Sequence, residues 1–393
     1  MLGRPMKILI APDKFKGTLT SKAAAEAIAR GWRKARPQDH LELLPMSDGG
    51  DGFGEVLGGL HKARVRSART VDAARRKCSA PWWWVPSTRT AIVESASVIG
   101  LAMLPPGMFH PFELDTYGLG CLLKTVASRG ARRCLVGIGG SATNDGGFGM
   151  AQALGWMFCD KQGRPIERWT ELFRLAQVRA PQCDRLFDEV VVAVDVKNPL
   201  LGARGATRVY GPQKGLRPVD LAAAERCLGR LARVVSEELG RNSARVPGAG
   251  AAGGLGFALR SFLGAEFKSG FDIFADQAKL RARVKSARLV ITGEGAIDAS
   301  TLMGKGVGQL AAICKACGVP CIGLAGVITT AGREKRLFQG ASALTDFTSA
   351  LQAKRNPERW LERAAESAAR SWQEAFWFTT STPHPLPPLR KRS

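Results

Sequence analysis

The chain has 393 residues, of which 45% are hydrophobic and 23% are charged, and this composition predicts a globular protein long enough for two or three domains. It carries 57 lysines and arginines against 34 aspartates and glutamates, a formal net charge of +23. No apolar run approaches the ~20 residues of a membrane span, and the N-terminus MLGRPMKILIAPDK lacks the features of a signal peptide. We therefore expect a cytoplasmic protein with no membrane partner, with Met6 as a candidate natural start.

The basic excess raises nucleic-acid binding as an alternative. The basic residues are spread along the chain, with small clusters at 64–69, 75–77 and 390–392. No zinc-finger, RRM or helix-turn-helix pattern accompanies them. We favour a solvated basic surface, which also suits an enzyme of small anions, and expect no specific nucleic-acid partner.

The predicted elements alternate between short β-branched runs and alanine-rich helical stretches. The predicted strands are 7–13, 41–47, 91–97, 133–139, 190–195, 288–294 and 320–326. Helices fall between most of them; the first is predicted over 21–35, with Thr20 and Ser21 as caps and Pro37 beyond its end. This alternation predicts an α/β fold with parallel sheets and helices on both faces.

Two segments depart from that pattern. Residues 64–89 are rich in arginine and serine and contain PWWWVP. Three adjacent tryptophans cannot share one face of a strand, so we expect one or two to pack between domains or under a loop, in preference to a ligand platform. The tail STPHPLPPLRKRS is proline-rich and basic and is predicted to be disordered.

Nine scattered cysteines are typical of free thiols packed as small hydrophobes. Cys314, Cys317 and Cys321 form one local cluster, with Cys317 near the end of a predicted helix and Cys321 opening the next strand. Because no fourth ligand lies nearby and the chain has only four histidines, we favour packed thiols over a metal site.

Polar and charged side chains recur at the carboxyl ends of the predicted strands, where parallel α/β sheets bind ligands. They are, in chain order, Asp13, Lys14, Lys16, Ser47, Asp48, Asp51, Ser141, Thr143, Asn144, Asp145, Asp195, Asn198, Glu294 and Asp298. Their recurrence after five strands predicts one site.

The segment GIGGSATNDGG, 137–147, places glycines and small polar groups directly after a strand. Its glycine N–H groups are expected to form an anion-binding cradle; the alternative is a tight strand-to-helix turn. Three further glycine-rich segments occur in the sequence. One contains Arg204 and Lys214, another contains Gly253 and Gly254, and the third contains Lys305.

Phosphoryl transfer needs such a cradle, cations for the phosphates, a carboxylate for Mg²⁺ and a base near the acceptor hydroxyl. These loops supply glycine N–H groups, hydroxyls, carboxylates and cations. However, the Walker A pattern is absent because Gly304-Lys305 is followed by glycine, no GxGxxG follows the first strand, and the HRD and DFG elements are missing. The pattern alone indicates an α/β enzyme for an anionic, phosphorylated ligand.

Seven motifs occur in a fixed order: APDKFKGTLTS, MSDGGDG, GIGGSATNDGG, DVKNPLLGARGA, YGPQKG, GAAGGLG and GEGAIDASTLMGKG. Together they resemble the bacterial glycerate kinase family of the glycerate 2-kinase type. The resemblance covers 6–326 and, more loosely, the helix around Trp360. It implies phosphorylation of D-glycerate with ATP and Mg²⁺ to phosphoglycerate, with 2-phosphoglycerate the expected product and phosphorylation at O3 or of a related small hydroxy acid the alternative.

The resemblance also implies a two-domain α/β fold with a cleft. A Rossmann-like domain is formed by both chain ends, residues 1–66 and 286–378, and a flavodoxin-like domain, 67–285, is inserted in it. Residues 379–393 form the tail. A homodimer stays an open alternative.

Catalytic roles are expected for Asp195, Lys16 and Asp48. Asp195 is the candidate base for the glycerate hydroxyl, with capping of the following turn as the alternative. Lys16 is expected to bind the glycerate carboxylate or the transferring phosphate as a point charge. Glu294 and Asp298 are the candidate Mg²⁺ ligands. Substrate and phosphate contacts are expected from Ser47, Asp51, Ser141, Thr143, Asn144, Asp145, Asn198, Arg204, Lys214, Gly253, Gly254 and Lys305.

Two departures from the family pattern bear on substrate affinity. Lys14 stands where relatives often carry serine, and Lys197 stands where some carry aspartate. The competing function classes are a nicotinamide-dependent oxidoreductase, disfavoured by the missing GxGxxG, and a nucleic-acid-binding protein, disfavoured by the absence of a recognisable module.

Overall fold

A computed structural model describes residues 5–50, 52–182, 185–302, 306–329 and 337–372. The chain divides into two compact units. The first contains the described residues up to Asp48 and those from Phe274 onward, and the second is Gly49–Ile273. The domain boundaries expected from the sequence, near Arg66 and Lys285, stay a prediction.

The strands are β1 (Lys7–Ile10), β2 (His40–Leu43), β3 (Arg64–Val71), β4 (Lys77–Val85), β5 (Thr90–Glu94), β6 (Arg133–Gly137), β7 (Met157–Cys159), β8 (Gln177–Arg179), β9 (Glu189–Ala193), β10 (Glu266–Lys268), β11 (Leu289–Ile297), β12 (Cys321–Ile328) and β13 (Gly340–Ala343).

The α-helices are α1 (Ser21–Ala35), α2 (Phe53–Leu60), α3 (Ala96–Ile99), α4 (Tyr117–Ser128), α5 (Phe148–Ala153), α6 (Ala206–Tyr210), α7 (Leu221–Leu239), α8 (Ala251–Leu263), α9 (Gly270–Gln277), α10 (Leu280–Ser286), α11 (Ala299–Leu302), α12 (Gly306–Cys317), α13 (Ala350–Arg355) and α14 (Pro357–Ser371).

The first unit is built on a parallel sheet of five strands in the order β13-β12-β11-β1-β2. Helix α1 starts where the sequence predicts, because the Thr20 hydroxyl accepts the Ala23 N–H. Its apolar face, with Trp32, shares one core with Leu361 of α14. Gly31 permits this packing, since a Cβ there would lie 2.0 Å from the Glu362 carbonyl oxygen. The predicted α/β fold with parallel strands is confirmed here.

The second unit contains a six-stranded sheet in the order β10-β9-β6-β5-β4-β3. The four strands from β10 to β5 are parallel, whereas β4 and β3 form an antiparallel hairpin at one edge. The expected parallel pairing therefore holds for the four strands from β10 to β5, and the antiparallel edge is a feature that was not predicted. Residues 72–76 close the hairpin through the Asp72 and Arg76 backbone groups, so two strands follow one another without the helix that a parallel crossover requires.

The three adjacent tryptophans lie in β4 and alternate between the two faces of the sheet. Trp82 and Trp84 are 1% and 8% exposed and lie in the apolar core of the second unit. Trp83 faces the other way and packs under α2, where Gly54 and Gly58 leave room for its ring. The prediction that the three cannot share one face is confirmed, and all three are used in packing.

Helix α12 ends at Cys317 and Cys321 opens β12, as the sequence predicts. Cys314 and Cys321 are buried thiols. Within the described ranges, no group of three histidine, cysteine, aspartate or glutamate side chains could hold a metal ion. None of the described helices combines the length and apolar character needed to cross a bilayer.

Replacing Gly58 by alanine is expected to destabilise the protein by about 1–3 kcal/mol, because the new Cβ would lie 2.3 Å from Trp83 Cδ1. The matched control is Gly59→Ala on the same helix, where nothing lies within 4 Å and where alanine should be neutral or stabilise by up to about 1 kcal/mol. Urea denaturation of both variants measures the difference. Equal effects would show that Trp83 does not pack against α2.

Candidate functional site

The loop between β6 and α5 is organised by one buried carboxylate, Asp145. Its Oδ2 accepts hydrogen bonds from the Thr116 N–H and hydroxyl at 2.9 and 2.7 Å and from the Gly149 N–H at 3.0 Å. Its Oδ1 accepts the Gly147 N–H at 3.1 Å. Burial and the charge of Asp115 raise the pKa of Asp145, while these hydrogen bonds act to lower it. The side chain therefore fixes the start of α5 relative to α4.

Backbone N–H groups at the end of this loop and at the start of α5 have acceptors inside the chain. The Gly146 N–H donates to the Gly253 carbonyl at 3.0 Å, and the Met150 N–H donates to the Thr116 hydroxyl at 2.8 Å. The expectation that these glycine N–H groups form an anion cradle is wrong for Gly146 and Gly147, because each already has an acceptor inside the chain. The glycines instead let the loop pack closely.

A second glycine turn lies against this loop. Ala252, Gly253 and Gly254 have φ values of 54°, 68° and 89°, the left-handed region that favours glycine. A Cβ on Gly253 would lie 2.0 Å from the Thr143 carbonyl oxygen, and one on Gly254 would lie 2.8 Å from Gly146 Cα. Both glycines thus serve close approach of two chain segments.

Lys214 is buried beside the loop, with only 6% of the residue exposed. Its Nζ donates to the Ser141 hydroxyl at 3.0 Å and to the Thr143 carbonyl at 2.6 Å. Burial lowers the pKa of the Lys214 ammonium to about 7, and the charge of Asp145 opposes that shift. The structure therefore brings Ser141 and Thr143 together at the buried ammonium of Lys214, whose pKa is lower than that of an exposed lysine.

Two buried oxygen atoms in this region have no hydrogen-bond partner within the described part of the chain. They are Thr143 Oγ1 and Asn144 Oδ1. The amide nitrogen of Asn144 is oriented by the Thr207 hydroxyl at 3.1 Å. Because buried polar atoms are costly to leave unpaired, these two atoms mark a position where a polar group of a ligand or a water would be stabilised.

Asp195 follows β9, next to β6 in the sheet. It is exposed, and its Oδ1 accepts the N–H of Gly270 at 3.0 Å. In the loop that follows, Asn198 donates to the Arg204 carbonyl at 2.7 Å and accepts the Tyr210 hydroxyl at 2.7 Å. The Arg204 side chain is exposed. Asp195 is thus a partly oriented carboxylate at the carboxyl end of a buried strand.

The glycines of the second motif contact the loop after β6. A Cβ on Gly139 would lie 2.7 Å from Gly50 Cα, and one on Gly137 would lie 3.0 Å from the Gly49 carbonyl oxygen. The carboxylate of Glu94 accepts the N–H groups of Gly52 and Gly54 at 3.0 and 3.1 Å, at the start of α2. Two of the predicted motifs therefore meet within the second unit.

In the first unit, Asp13, Lys14 and Asp48 lie together after β1 and β2. The Lys14 ammonium is 3.1 Å from Asp48 Oδ1, and the Lys14 N–H donates to Asp13 Oδ1 at 2.7 Å. Burial, and then the charge of Asp48, raise the pKa of Asp13 to about 7, with Lys14 opposing the shift and Glu294 adding to it. Lys14 thus places a positive charge beside the carboxyl groups of Asp13 and Asp48. Ser47, the residue before Asp48, is buried.

Glu294 and Asp298, the candidate metal ligands, both contact Thr301. The Thr301 hydroxyl donates to Glu294 Oε1 at 2.6 Å, and its N–H donates to Asp298 Oδ1 at 3.4 Å. Carboxylate oxygens suit Mg²⁺, which takes one or two protein carboxylates and keeps waters and substrate phosphates as its other ligands. The donor set of this region therefore fits a Mg²⁺ ion carried by a phosphate group.

Of the other predicted residues, Lys16 is exposed on the turn after β1, where Phe15 and Leu19 exchange backbone hydrogen bonds. Asp51 and Lys305 lie outside the described residues. Sequence analysis did not single out Glu94, Thr116, Thr207 or Thr301. Glu94 was detectable as a charged residue ending an apolar strand. Thr116 and Thr207 carry no local signal because their partners, Asp145 and Asn144, are distant in the sequence. Thr301 is close in sequence to Asp298 and lies inside the motif GEGAIDASTLMGKG.

The chain matches the model of the glycerate kinase family over residues 8–373. It is 39% identical over 327 residues to glycerate 2-kinase of Escherichia coli K12, covering 82% of this chain and 86% of that protein. It is 36% identical to glycerate kinase of Halalkalibacterium halodurans, covering 94% and 99% of the two chains. The crystal structure of a protein described as glycerate kinase 2 from Salmonella typhimurium LT2 superposes with a TM-score of 0.81 and 34% identity, covering 93% of this chain and 98% of that one.

The shifted pKa of Asp13 predicts a pH-dependent stability difference between the wild type and Asp13→Asn in metal-free buffer. Below the ordinary pKa of 3.8 the carboxyl is neutral in both folded and unfolded chains. As the pH rises from about 4 to about 7, the unfolded chain gives up this proton before the folded chain does, so the wild type should lose stability relative to the variant. The measurement is the urea midpoint of each protein at several pH values.

The control is Asp276→Asn, which changes an exposed carboxylate in the same unit. A wild-type-to-Asp13→Asn difference that stays constant between pH 4 and pH 8 would show that Asp13 ionises normally in the folded protein.

Proposed function

The chain belongs to the glycerate kinase family, and on that premise we propose that it transfers the terminal phosphate of ATP to D-glycerate. The observation that carries the proposal is the loop beside Lys214. There a buried lysine contacts the Ser141 hydroxyl, and two buried oxygen atoms, Thr143 Oγ1 and Asn144 Oδ1, have no partner within the described part of the chain. Such a group of donors and acceptors suits a small ligand that carries hydroxyl groups and negative charge.

Asp195 is the proposed base for the glycerate hydroxyl. It is exposed, so a substrate could reach it, and the Gly270 N–H holds one of its oxygen atoms. As a carboxylate at the carboxyl end of β9, it would accept the proton as the hydroxyl attacks phosphorus.

Lys16 and Lys214 have different proposed roles. Lys16 is exposed and would bind the glycerate carboxylate or the transferring phosphate as a mobile point charge. Lys214 is buried and already bonded to Ser141 and Thr143, so it would hold those groups in place and add positive potential.

Asp145 is proposed as a positioning residue. Both of its oxygen atoms accept hydrogen bonds within the chain and the residue is fully buried, so its effect on a substrate would pass through the loop that it holds. Ser47, Asp48, Asn198 and Arg204, together with Asp51 and Lys305, stay proposed contacts.

Mg²⁺ is the proposed cofactor, and Glu294 with Asp298 would supply its carboxylate ligands. When bound, the ion would neutralise charge on the nucleotide phosphates. The proposed product is 2-phosphoglycerate, which the resemblance to the glycerate 2-kinase type and the E. coli relative of that name support. Phosphorylation at O3 is the alternative.

The experiment is ADP release from ATP and Mg²⁺ with and without D-glycerate, followed by phosphorus NMR of the product. We expect release that depends on glycerate and a product phosphorylated at O2. Asp195→Asn should lower kcat by about 10²–10⁴-fold, because proton transfer in the transition state is lost.

The matched control is Asp188→Asn, an exposed carboxylate immediately before the strand that Asp195 follows; its kcat should equal that of the wild type. No glycerate-dependent release from the wild type would contradict the function. Full turnover by Asp195→Asn would contradict only the role of that residue.

A further inference from the structure

A pocket of about 430 Å³ lies at the C-terminal end of α8. Its polar lining comes from Arg241, Asn242, Ser243 and Arg260, and Val246 and Ala265 add apolar surface. None of the lining residues is acidic. Its volume is within the range of small-molecule sites.

Both arginines donate a hydrogen bond to a backbone carbonyl. Arg241 Nη1 donates to the Ser261 carbonyl at 2.6 Å, and Arg260 Nη1 donates to the Ala265 carbonyl at 3.5 Å. The Arg260 guanidinium also stacks over Phe267, 5.7 Å from the ring centroid. A guanidinium has five N–H donors, and each of these hydrogen bonds uses one. The pocket is thus lined by two cations with donors to spare.

The end of a helix carries partial negative charge, which would repel an anion. Here the chain itself satisfies those carbonyls. The Gly264 N–H donates to the Arg260 carbonyl at 3.1 Å, and the Ala265 N–H donates to the Leu259 carbonyl at 3.2 Å. The Arg241 guanidinium donates to the Ser261 carbonyl. Two full positive charges exceed the half charge of a helix terminus, so the net potential of the pocket favours an anion.

The nearest carboxylate along the chain does not cancel this charge. Glu266 follows Ala265 and is exposed, and its Oε1 lies 3.7 Å from the Lys268 ammonium. Next to the pocket, the fully buried hydroxyl of Ser261 has no hydrogen-bond partner within the described part of the chain. The lining therefore offers N–H donors from two arginines and one asparagine and contains no carboxylate.

We propose that this pocket binds a small phosphate-bearing anion, with Arg241 and Arg260 as its main ligands and Asn242 and Ser243 as neutral donors. Guanidinium groups match phosphate oxygens in geometry and charge. The pocket lies at the opposite end of α8 from Gly254, and the helical residues from Leu255 to Leu263 rise about 13 Å along the axis. None of the pocket-lining residues is among the proposed catalytic or substrate-binding residues. Anion binding here goes beyond the proposed function and does not depend on it.

Two sources of the same chemistry, free phosphate and a phosphate monoester, are distinguished by the choice of probe. Calorimetric titration of the full chain with inorganic phosphate, and separately with glycerol 3-phosphate, gives the stoichiometry and affinity of each, at constant ionic strength set with chloride. Tighter binding of the ester would identify an organic phosphate as the ligand, and equal or weaker binding would identify the free ion.

Two variants assign the binding to this pocket. Arg241→Gln with Arg260→Gln removes both cations, and Asn242→Glu keeps both arginines but adds a carboxylate. Each should weaken one phosphate site at least tenfold, while glycerate-dependent ADP release stays at the wild-type level. The control is Arg233→Gln, an exposed arginine on α7 outside the pocket lining, which should bind like the wild type.

Asn242→Glu keeps the test valid if loss of the Arg241 contact with Ser261 prevents the double variant from folding. Phosphate binding in Asn242→Glu with unchanged stoichiometry and affinity would overturn the proposal, as would a wild type that binds neither probe. Because binding is measured without turnover, a failure here is distinguishable from a failure of the proposed kinase activity.

Discussion

The second unit depends on the satisfaction of one buried negative charge. Asp145 lies in the loop between β6 and α5 and is fully buried. Its two oxygen atoms accept hydrogen bonds from four donors. A buried carboxylate without such partners would cost several kcal/mol, so the donors must come together for the unit to fold. They belong to Thr116 at the start of α4 and to Gly147 and Gly149 at the start of α5, and this requirement sets the position of both helices.

Lys214 is the positive counterpart. Its ammonium is bonded to Ser141 and to the Thr143 carbonyl, and burial brings its pKa to about 7. The loop that carries the candidate substrate groups is thus held by hydrogen bonds to the buried carboxyl group of Asp145 and from the buried side chain of Lys214. Such an arrangement fixes polar groups before a ligand arrives, which is how a site stabilises developing charge without reorganising.

The sequence was sufficient for the fold class and for most strands, because their cores are apolar runs that end in recognisable turns. Helix 21–35 was predicted to its bounds, since alanine-rich sequence, a threonine cap and a proline beyond the end all agree. The hairpin of β3 and β4 was not predicted, because its arginine-rich edge strand lacks a regular apolar alternation and its partner holds three tryptophans in a row. The sequence could not indicate that a strand with so many charges pairs along eight residues.

The residues of the candidate site were predictable from the sequence motifs, but the burial and the hydrogen bonds of those residues were not. Motif order placed Asp145 and Lys214 in the site, yet charged residues are ordinarily exposed, and only the packing shows that both are buried. The glycines were expected to present N–H groups to an anion; the structure uses those of Gly146 and Gly147 on the Gly253 carbonyl and on Asp145. Thr116 and Thr207 complete the site from distant positions, which no local pattern could have indicated.

The central claim is that the loop after β6 is built before any ligand binds. Amide hydrogen exchange of the protein without glycerate or nucleotide tests it most directly, at the N–H groups of Gly147, Gly149 and Met150 that donate to Asp145 and Thr116. We expect these amides to exchange as slowly as those of β6. Fast exchange that slows only when glycerate and ATP are added would contradict the account, since the loop would then be ordered by its ligands.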